Sequence, residues 1–167
     1  MANAGDIIRK GYTRSEGSSI TINTRAYEQK KSSKTGAALK TTLEQIGFEV
    51  KEGVLPEDKT VVAAVMKQLA DSEAVQLIIT TGAVGYLKKD CAPDALMEVA
   101  DRLLPGIPEA IRAYNIRYTK KVILNRGTAG IRNKTIIVNF HEGQKSARES
   151  LEYIIMELVQ ALETMNA

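Results

Sequence analysis

A three-layer α/β/α domain on a largely parallel sheet is the architecture this sequence predicts, and three observations carry the prediction. Short runs of strand length alternate with longer amphipathic runs along most of the chain. The central run, Val75 to Ile79, is apolar, as a strand covered on both faces would be, and leads into small residues and two glycines, Gly82 and Gly85. Glycine and proline stand where the amphipathic runs should stop or start, at Gly47, Pro56, Pro93, Pro105-Gly106 and Pro108.

Taken in order, residues 1–17 are polar and irregular and read as an N-terminal extension, leaving 18–167 as the domain. Ile20 and Ile22 alternate with Thr21 and Asn23, the period of a strand. After a basic loop, Thr35-Gly36 opens a helix with Leu39, Leu43 and Ile46 on one face and Gly47 as its stop. Phe48, Val50 and Val54 supply a second strand. Pro56-Glu57-Asp58 then starts a helix through capping and the helix dipole, with Val61, Val62, Val65, Met66 and Leu69 facing inward.

Beyond the central strand and its turn, Pro93 opens a helix through Leu96, Val99, Ala100, Leu103 and Leu104. Pro108 begins a short one with Ile111 and Tyr114. Lys121 to Leu124 reads as a strand, Asn125 to Gly130 as a loop, and Thr135 to Phe140 as a buried strand. In the last helix Ser146 and Glu149 have capping-box spacing, and Leu151, Ile154, Ile155, Leu158 and Leu162 form its stripe.

Composition excludes several classes. Twenty-three Lys and Arg against 20 Asp and Glu leave a net charge of +3 with no basic block, and only 5% of residues are aromatic, so nucleic acid is not an expected partner. Neither a membrane-spanning run nor a signal peptide is present, so no membrane role is expected. A single cysteine, Cys91, cannot form an internal disulfide and suits the cytoplasm. The lone histidine, His141, has no Cys or His at ligand spacing, which argues against zinc.

Chemistry concentrates after the central strand. Strand, glycine turn and helix start together make an anion site, because glycines let amides face a phosphate. Thr81, Gly82, Ala83, Val84 and Gly85 form the turn, with Lys88 and Lys89 adding positive charge. Asp90 is out of place in a phosphate loop unless it holds a cation such as Mg²⁺; the alternative is a turn and cap role. The loops at Glu57-Asp58, Gly82 to Asp94, Asn125 to Gly130 and His141 to Ser146 all follow strands and are expected to meet at one sheet edge.

These pieces resemble the molybdopterin-binding family: the bacterial Mog and MoaB proteins and the G domain of gephyrin and its plant relatives. The family's Thr-Thr-Gly-Gly-Thr-Gly, Arg-Asp and Thr-Pro-Glu/Asp stand here as Thr80 to Gly85, Lys89-Asp90 and Ala92-Pro93-Asp94. Leu104-Pro105-Gly106, Leu124-Asn125-Arg126, Ala129 to Arg132, Thr21 to Ala26 and Ser33 to Gly36 match further motifs in order. Departures fall on ligand loops: Ala83 and Val84 for glycine and threonine, Ala92 for the threonine cap, Glu57 for an aspartate, Thr24 for an aspartate, Asn125 for a serine, and Phe140-His141-Glu142 for Leu-Pro-Gly.

The resemblance implies a trimer in molybdenum cofactor biosynthesis that binds molybdopterin and, if active, transfers AMP to it from Mg²⁺-ATP. It implies catalysis by Asp90 with Glu57 or Asp58, and Mg²⁺ on Asp90 and Glu57. Ligand contacts would come from Thr81 to Gly85, Lys89, Asn125, Arg126 and Ser146. The altered loops keep open an alternative, a non-catalytic binding or assembly paralogue; a structural trimer without a pterin ligand is a third reading.

Overall fold

The computed structural model describes residues 15–167. The extension expected over residues 1–17 therefore lies mostly outside the described residues; of its end, Ser15 is buried and Glu16 opens the first strand.

Six strands form one sheet: β1 (Glu16–Ile22), β2 (Glu49–Leu55), β3 (Leu77–Thr81), β4 (Arg102–Leu103), β5 (Ala129–Arg132) and β6 (Thr135–Phe140), in the order β2-β1-β3-β6-β5-β4. β2, β1, β3 and β6 run parallel, whereas β5 is antiparallel to β6 and β4 to β5. The helices are α1 (Thr24–Glu28), α2 (Lys34–Gln45), α3 (Lys59–Asp71), α4 (Ala92–Val99), α5 (Gly106–Asn115) and α6 (Gln144–Met165).

Every residue of β3 and β6 is buried, because helices cover both faces of the sheet. On one side Leu77, Ile79, Ile136, Val138 and Phe140 pack under Leu39 and Leu43 of α2, Ile111 of α5 and Leu151 and Leu158 of α6. On the other, Ile20, Ile22, Ile78 and Ile137 meet Val62 and Met66 of α3 and Leu96 and Val99 of α4. The three-layer architecture with a largely parallel sheet is thus the observed one.

Helix ends follow local chemistry. The Ser33 hydroxyl accepts from the Gly36 amide, so α2 starts one residue before the expected Thr35. Asp58 caps α3, accepting from the Thr60 and Val61 amides through Oδ1. Gly47, at φ 110°, ends α2 as expected.

Four expectations fail. Lys121 to Leu124 is not a strand: Lys120–Leu124 forms a 3₁₀ turn capped by Thr119, with Ile123 68% exposed. Its apolar run looks like a strand, but the place beside β5 is taken by β4, and 120–124 joins no strand ladder. Next, α4 stops at Val99. Ala100 is extended, and Arg102 and Leu103 pair with Ile131 and Gly130, so a non-local ladder overrides a helical period and splits the expected 125–130 loop. Third, Ser146 does not cap α6: the helix begins at Gln144 behind Gly143, and the Ser146 hydroxyl donates to the Gly143 carbonyl at 3.4 Å. Fourth, Val61 faces solvent, because the buried face of α3 runs through Val62, Ala63, Met66 and Ala70.

The α2–α6 layer sets much of the stability. Leu43 is fully buried there, and Leu43→Ala is expected to lower unfolding free energy by about 2–5 kcal/mol, read from urea denaturation followed by circular dichroism.

Candidate functional site

Strands β1, β2, β3 and β6 end on the same edge of the sheet, and the antiparallel β5 begins there, since Ala129 pairs with Val138 near the end of β6. The chain leaves β1 for β2 on one side and returns to β3 on the other, so this edge opens between β1 and β3. The four loops expected to meet do meet here.

Gly82 sits at that opening. Its φ is 87°, its amide donates to the Phe140 carbonyl at 3.0 Å, and a Cβ would stand 2.9 Å from the Ile22 carbonyl oxygen. Ala83 follows with φ 56°, a left-handed conformation that costs a residue with a Cβ about 1 kcal/mol. The turn is polarised. The Ala83 carbonyl accepts from the Ala92 amide at the start of α4, and the Val84 carbonyl accepts from the Arg126 amide at 2.7 Å. The amides of Ala83, Val84, Gly85 and Tyr86 donate to no acceptor among the described residues. Carbonyls turned inward and amides left over are the arrangement an anion needs.

The Val84 side chain is buried with α3 and α4, so it anchors the turn. Thr81 is fully buried and its hydroxyl has no hydrogen-bond partner among the described residues. Asp90 folds back on the turn: Oδ2 accepts from the Leu87 amide at 3.0 Å and lies 2.6 Å from where a Gly85 Cβ would be. That contact explains why residue 85 is a glycine and gives Asp90 a turn-holding role through one oxygen.

The other acids and cations are largely engaged with one another. Glu57 and Thr24 bond reciprocally: the Thr24 amide donates to Glu57 Oε1, and the Glu57 amide donates to the Thr24 hydroxyl. Glu57 Oε2 pairs with Lys89 at 3.7 Å. The Arg126 guanidinium donates to both oxygens of Asp94 at 2.8 and 3.3 Å and to the Asp90 carbonyl. Beside Arg126, the Asp94 carboxyl is held below the usual carboxylate range. Arg132, by contrast, pairs with Asp71 and the Val99 carbonyl. Cys91 is buried at the start of α4, and burial pushes its thiol pKa up.

Several holders were not legible in the sequence. Arg112 of α5 donates to the carbonyls of Asn125 and Gly127, while the Asn125 side chain accepts from the Gly127 amide. Asn139 accepts from the Thr128 amide and donates to the Thr80 hydroxyl. A polar residue inside the apolar run of β6 was the available signal for Asn139; Arg112 carried none. The Thr35 hydroxyl accepts from the Gly143 amide, tying the start of α2 to the start of α6.

Clefts open on this edge. One of about 560 Å³ lies between α5, the 3₁₀ turn and the start of α6, lined by Asn115, Tyr118, His141, Glu142 and Ser146. Another of about 380 Å³ lies by α1 and the end of β2, lined by Thr21, Tyr27, Lys30, Lys31 and Gly53. His141 Nε2 is buried without a hydrogen-bond partner among the described residues, and burial lowers the pKa of the ring.

Two outcomes follow. Ala83→Gly relieves the left-handed strain and is expected to stabilise the fold by about 0.5–1 kcal/mol, net of the extra freedom glycine gives the unfolded chain; the urea midpoint measures it. His141 is the only histidine, and its folded pKa lies below the unfolded value. Its contribution is therefore fully present above about pH 6.5 and is lost as pH falls through the lowered pKa. Between pH 7.5 and 5.5 the wild-type melting temperature should fall more than that of His141→Gln, and equal falls would remove this role.

Comparison with known proteins agrees with the geometry. The sequence model of a family described as a probable molybdopterin binding domain matches residues 18–161. The molybdopterin adenylyltransferase of Haemophilus influenzae is 33% identical over 105 residues, 63% of this chain and 53% of that protein. The chain thus spans about half the length of the curated relatives it matches. Among solved structures, the molybdopterin biosynthesis enzyme MoaB of Thermus thermophilus superposes with a TM-score of 0.80 at 32% identity, covering 90% of this chain and 95% of that one. The molybdopterin biosynthesis Mog protein of Mycobacterium ulcerans does so with a TM-score of 0.84 at 28% identity, covering 92% and 99%. A polarised glycine turn at the edge of this sheet, a family model spanning nearly all the described residues and these neighbours converge: the chain belongs to the molybdopterin-binding domain family of the MoaB and Mog molybdenum cofactor biosynthesis proteins.

Proposed function

We propose that this chain acts in molybdenum cofactor biosynthesis by binding molybdopterin at the β1–β3 edge and transferring AMP from ATP to its terminal phosphate, with release of pyrophosphate. The observation that carries the reading is the row of unengaged amides from Ala83 to Tyr86, whose companion carbonyls at Ala83 and Val84 are turned into the protein. Those amides hold phosphate oxygens in place before reaction and stabilise charge as it shifts during transfer. The adjoining clefts have the size of a ring-ligand site.

The residues fit Mg²⁺ brought in with the nucleotide. Among the described residues no three acidic, histidine or cysteine side chains gather as a cage, and Mg²⁺ at nucleotide sites commonly takes one or two carboxylates, completing its shell with phosphate and water. Asp90 would hold it, since Oδ2 is engaged by Leu87 and Oδ1 has no described partner. The ion would offset phosphate charge. Glu57, bonded to the Thr24 amide and paired with Lys89, ties the loops after β1 and β2 together and would offer the second carboxylate to the metal. Asp58 serves α3 as its cap, and we assign it no chemical role. Lys89, Asn125 and Arg126 position the loops around the ligand. Ser146 lines the larger cleft as a further contact.

We place the protein in the cytoplasm, as a homotrimer of the kind the resemblance implies. No helix among the described residues is long and apolar enough to cross a membrane. A second reading, a binding paralogue without catalysis, draws on one observation: Glu142 stands against Gly82 where the resembled family has a glycine.

The test is direct. With molybdopterin and Mg²⁺-ATP, the protein is expected to yield adenylylated molybdopterin and pyrophosphate. Asp90→Asn keeps an oxygen for the Leu87 amide and should lower the rate by about a hundredfold or more. Molybdopterin binding without product in either protein would leave the paralogue reading.

A further inference from the structure

We propose that Glu142 makes the glycine turn selective for the charge state of its ligand, admitting phosphate as a divalent-cation complex and rejecting the free polyphosphate anion. The inference rests on the reading that this turn binds phosphate.

Glu142 is placed there by the backbone. Phe140 accepts from the Gly82 amide through its carbonyl, and the Gly143 amide donates to the Thr35 hydroxyl, so the segment carrying Glu142 is tied to β3 on one side and α2 on the other. Between these ties the side chain lies along Gly82: Oε1 is 3.3 Å and Cγ 3.4 Å from the position a Gly82 Cβ would take. At the other end of the same turn Asp90 lies on Gly85. Two carboxylates therefore bracket the amides of Ala83 to Tyr86.

Arg126 lies beside Asp90 and donates to its carbonyl, whereas no cation among the described residues is bonded to Glu142. Glu142 has no ion pair or hydrogen bond with any described residue. Of the cations beside the turn, Lys89 and Arg126 are paired with Glu57 and Asp94, while Lys88 makes no ion pair with Glu142 or with any other described residue. A multiply charged phosphate reaching the amides thus meets amide dipoles and an uncompensated carboxylate together. A divalent cation on the phosphate reverses the sign of that encounter, because the carboxylate then faces net positive charge. Unit charges a few ångströms apart in a partly solvated site alter affinity by roughly tenfold.

Inorganic pyrophosphate is the probe, titrated calorimetrically with Mg²⁺ or with EDTA into the wild-type protein, Glu142→Gln and Glu149→Gln, each checked for an unchanged circular dichroism spectrum. Glu149 lines the same cleft and pairs with Lys145, so it controls for general charge. In EDTA, Glu142→Gln is expected to bind pyrophosphate about tenfold more tightly than wild type, and its preference for the Mg²⁺ form should shrink by the same factor, with Glu149→Gln unchanged. A metal-free affinity of Glu142→Gln within about twofold of wild type overturns the proposal, as does an equal gain in Glu149→Gln or no pyrophosphate binding by any protein. Assaying AMP transfer in parallel separates the two ideas: selectivity without product removes the adenylylation reading alone, and product without a Glu142 effect removes the selector alone.

Discussion

Gly82 holds three strand ends in one place, and the rest of the edge is arranged around it. Its amide donates to the Phe140 carbonyl at the end of β6, and its bare Cα passes the Ile22 carbonyl at the end of β1. Only a residue without a side chain can do both at φ 87°. Because the backbone turns there, the next carbonyls, at Ala83 and Val84, swing toward Ala92 and Arg126, and the amides of residues 83–86 are left without an acceptor among the described residues. Strand order and anion chemistry thus share one backbone constraint.

Around this turn, side chains serve mainly to hold loops. Arg126 links the 125–128 loop to α4 through Asp94, Arg112 grips the same loop from α5, and Asn139 secures it from β6. Thr24 and Glu57 do the same for the loops after β1 and β2. A site that must position a phosphate closely gains from such support, because small displacements of the donors cost much of their effect.

Several residues carry a structural and a chemical assignment at once. Asp90 gives one oxygen to the Leu87 amide and leaves the other available. Ala83 and Glu142 are the chain's own departures from the resembled pattern, and they sit on either side of Gly82: one strains the turn, the other alters its charge. The scaffold is kept while the ligand's surroundings are changed, which is why family membership and detailed activity are separate questions here.

The sequence by itself determined the layered architecture, because the fully buried strands β3 and β6 and the stripes of α2 and α6 are periodic signals that burial imposes directly. It also determined the glycine turn, since the left-handed conformation at Gly82 and the contact at Gly85 each demand a missing Cβ. Tertiary structure decided the rest. The end of α4 at Val99 came from the pairing of Arg102 and Leu103 with β5, a partner distant in sequence. The apolar segment 120–124 became an exposed 3₁₀ turn, and the place beside β5 went to Arg102 and Leu103 instead. Arg126 became a latch on Asp94 because the two, 32 residues apart, found each other only when the loops met. Periodicity records which side of an element is buried; it holds no record of which neighbour is waiting there.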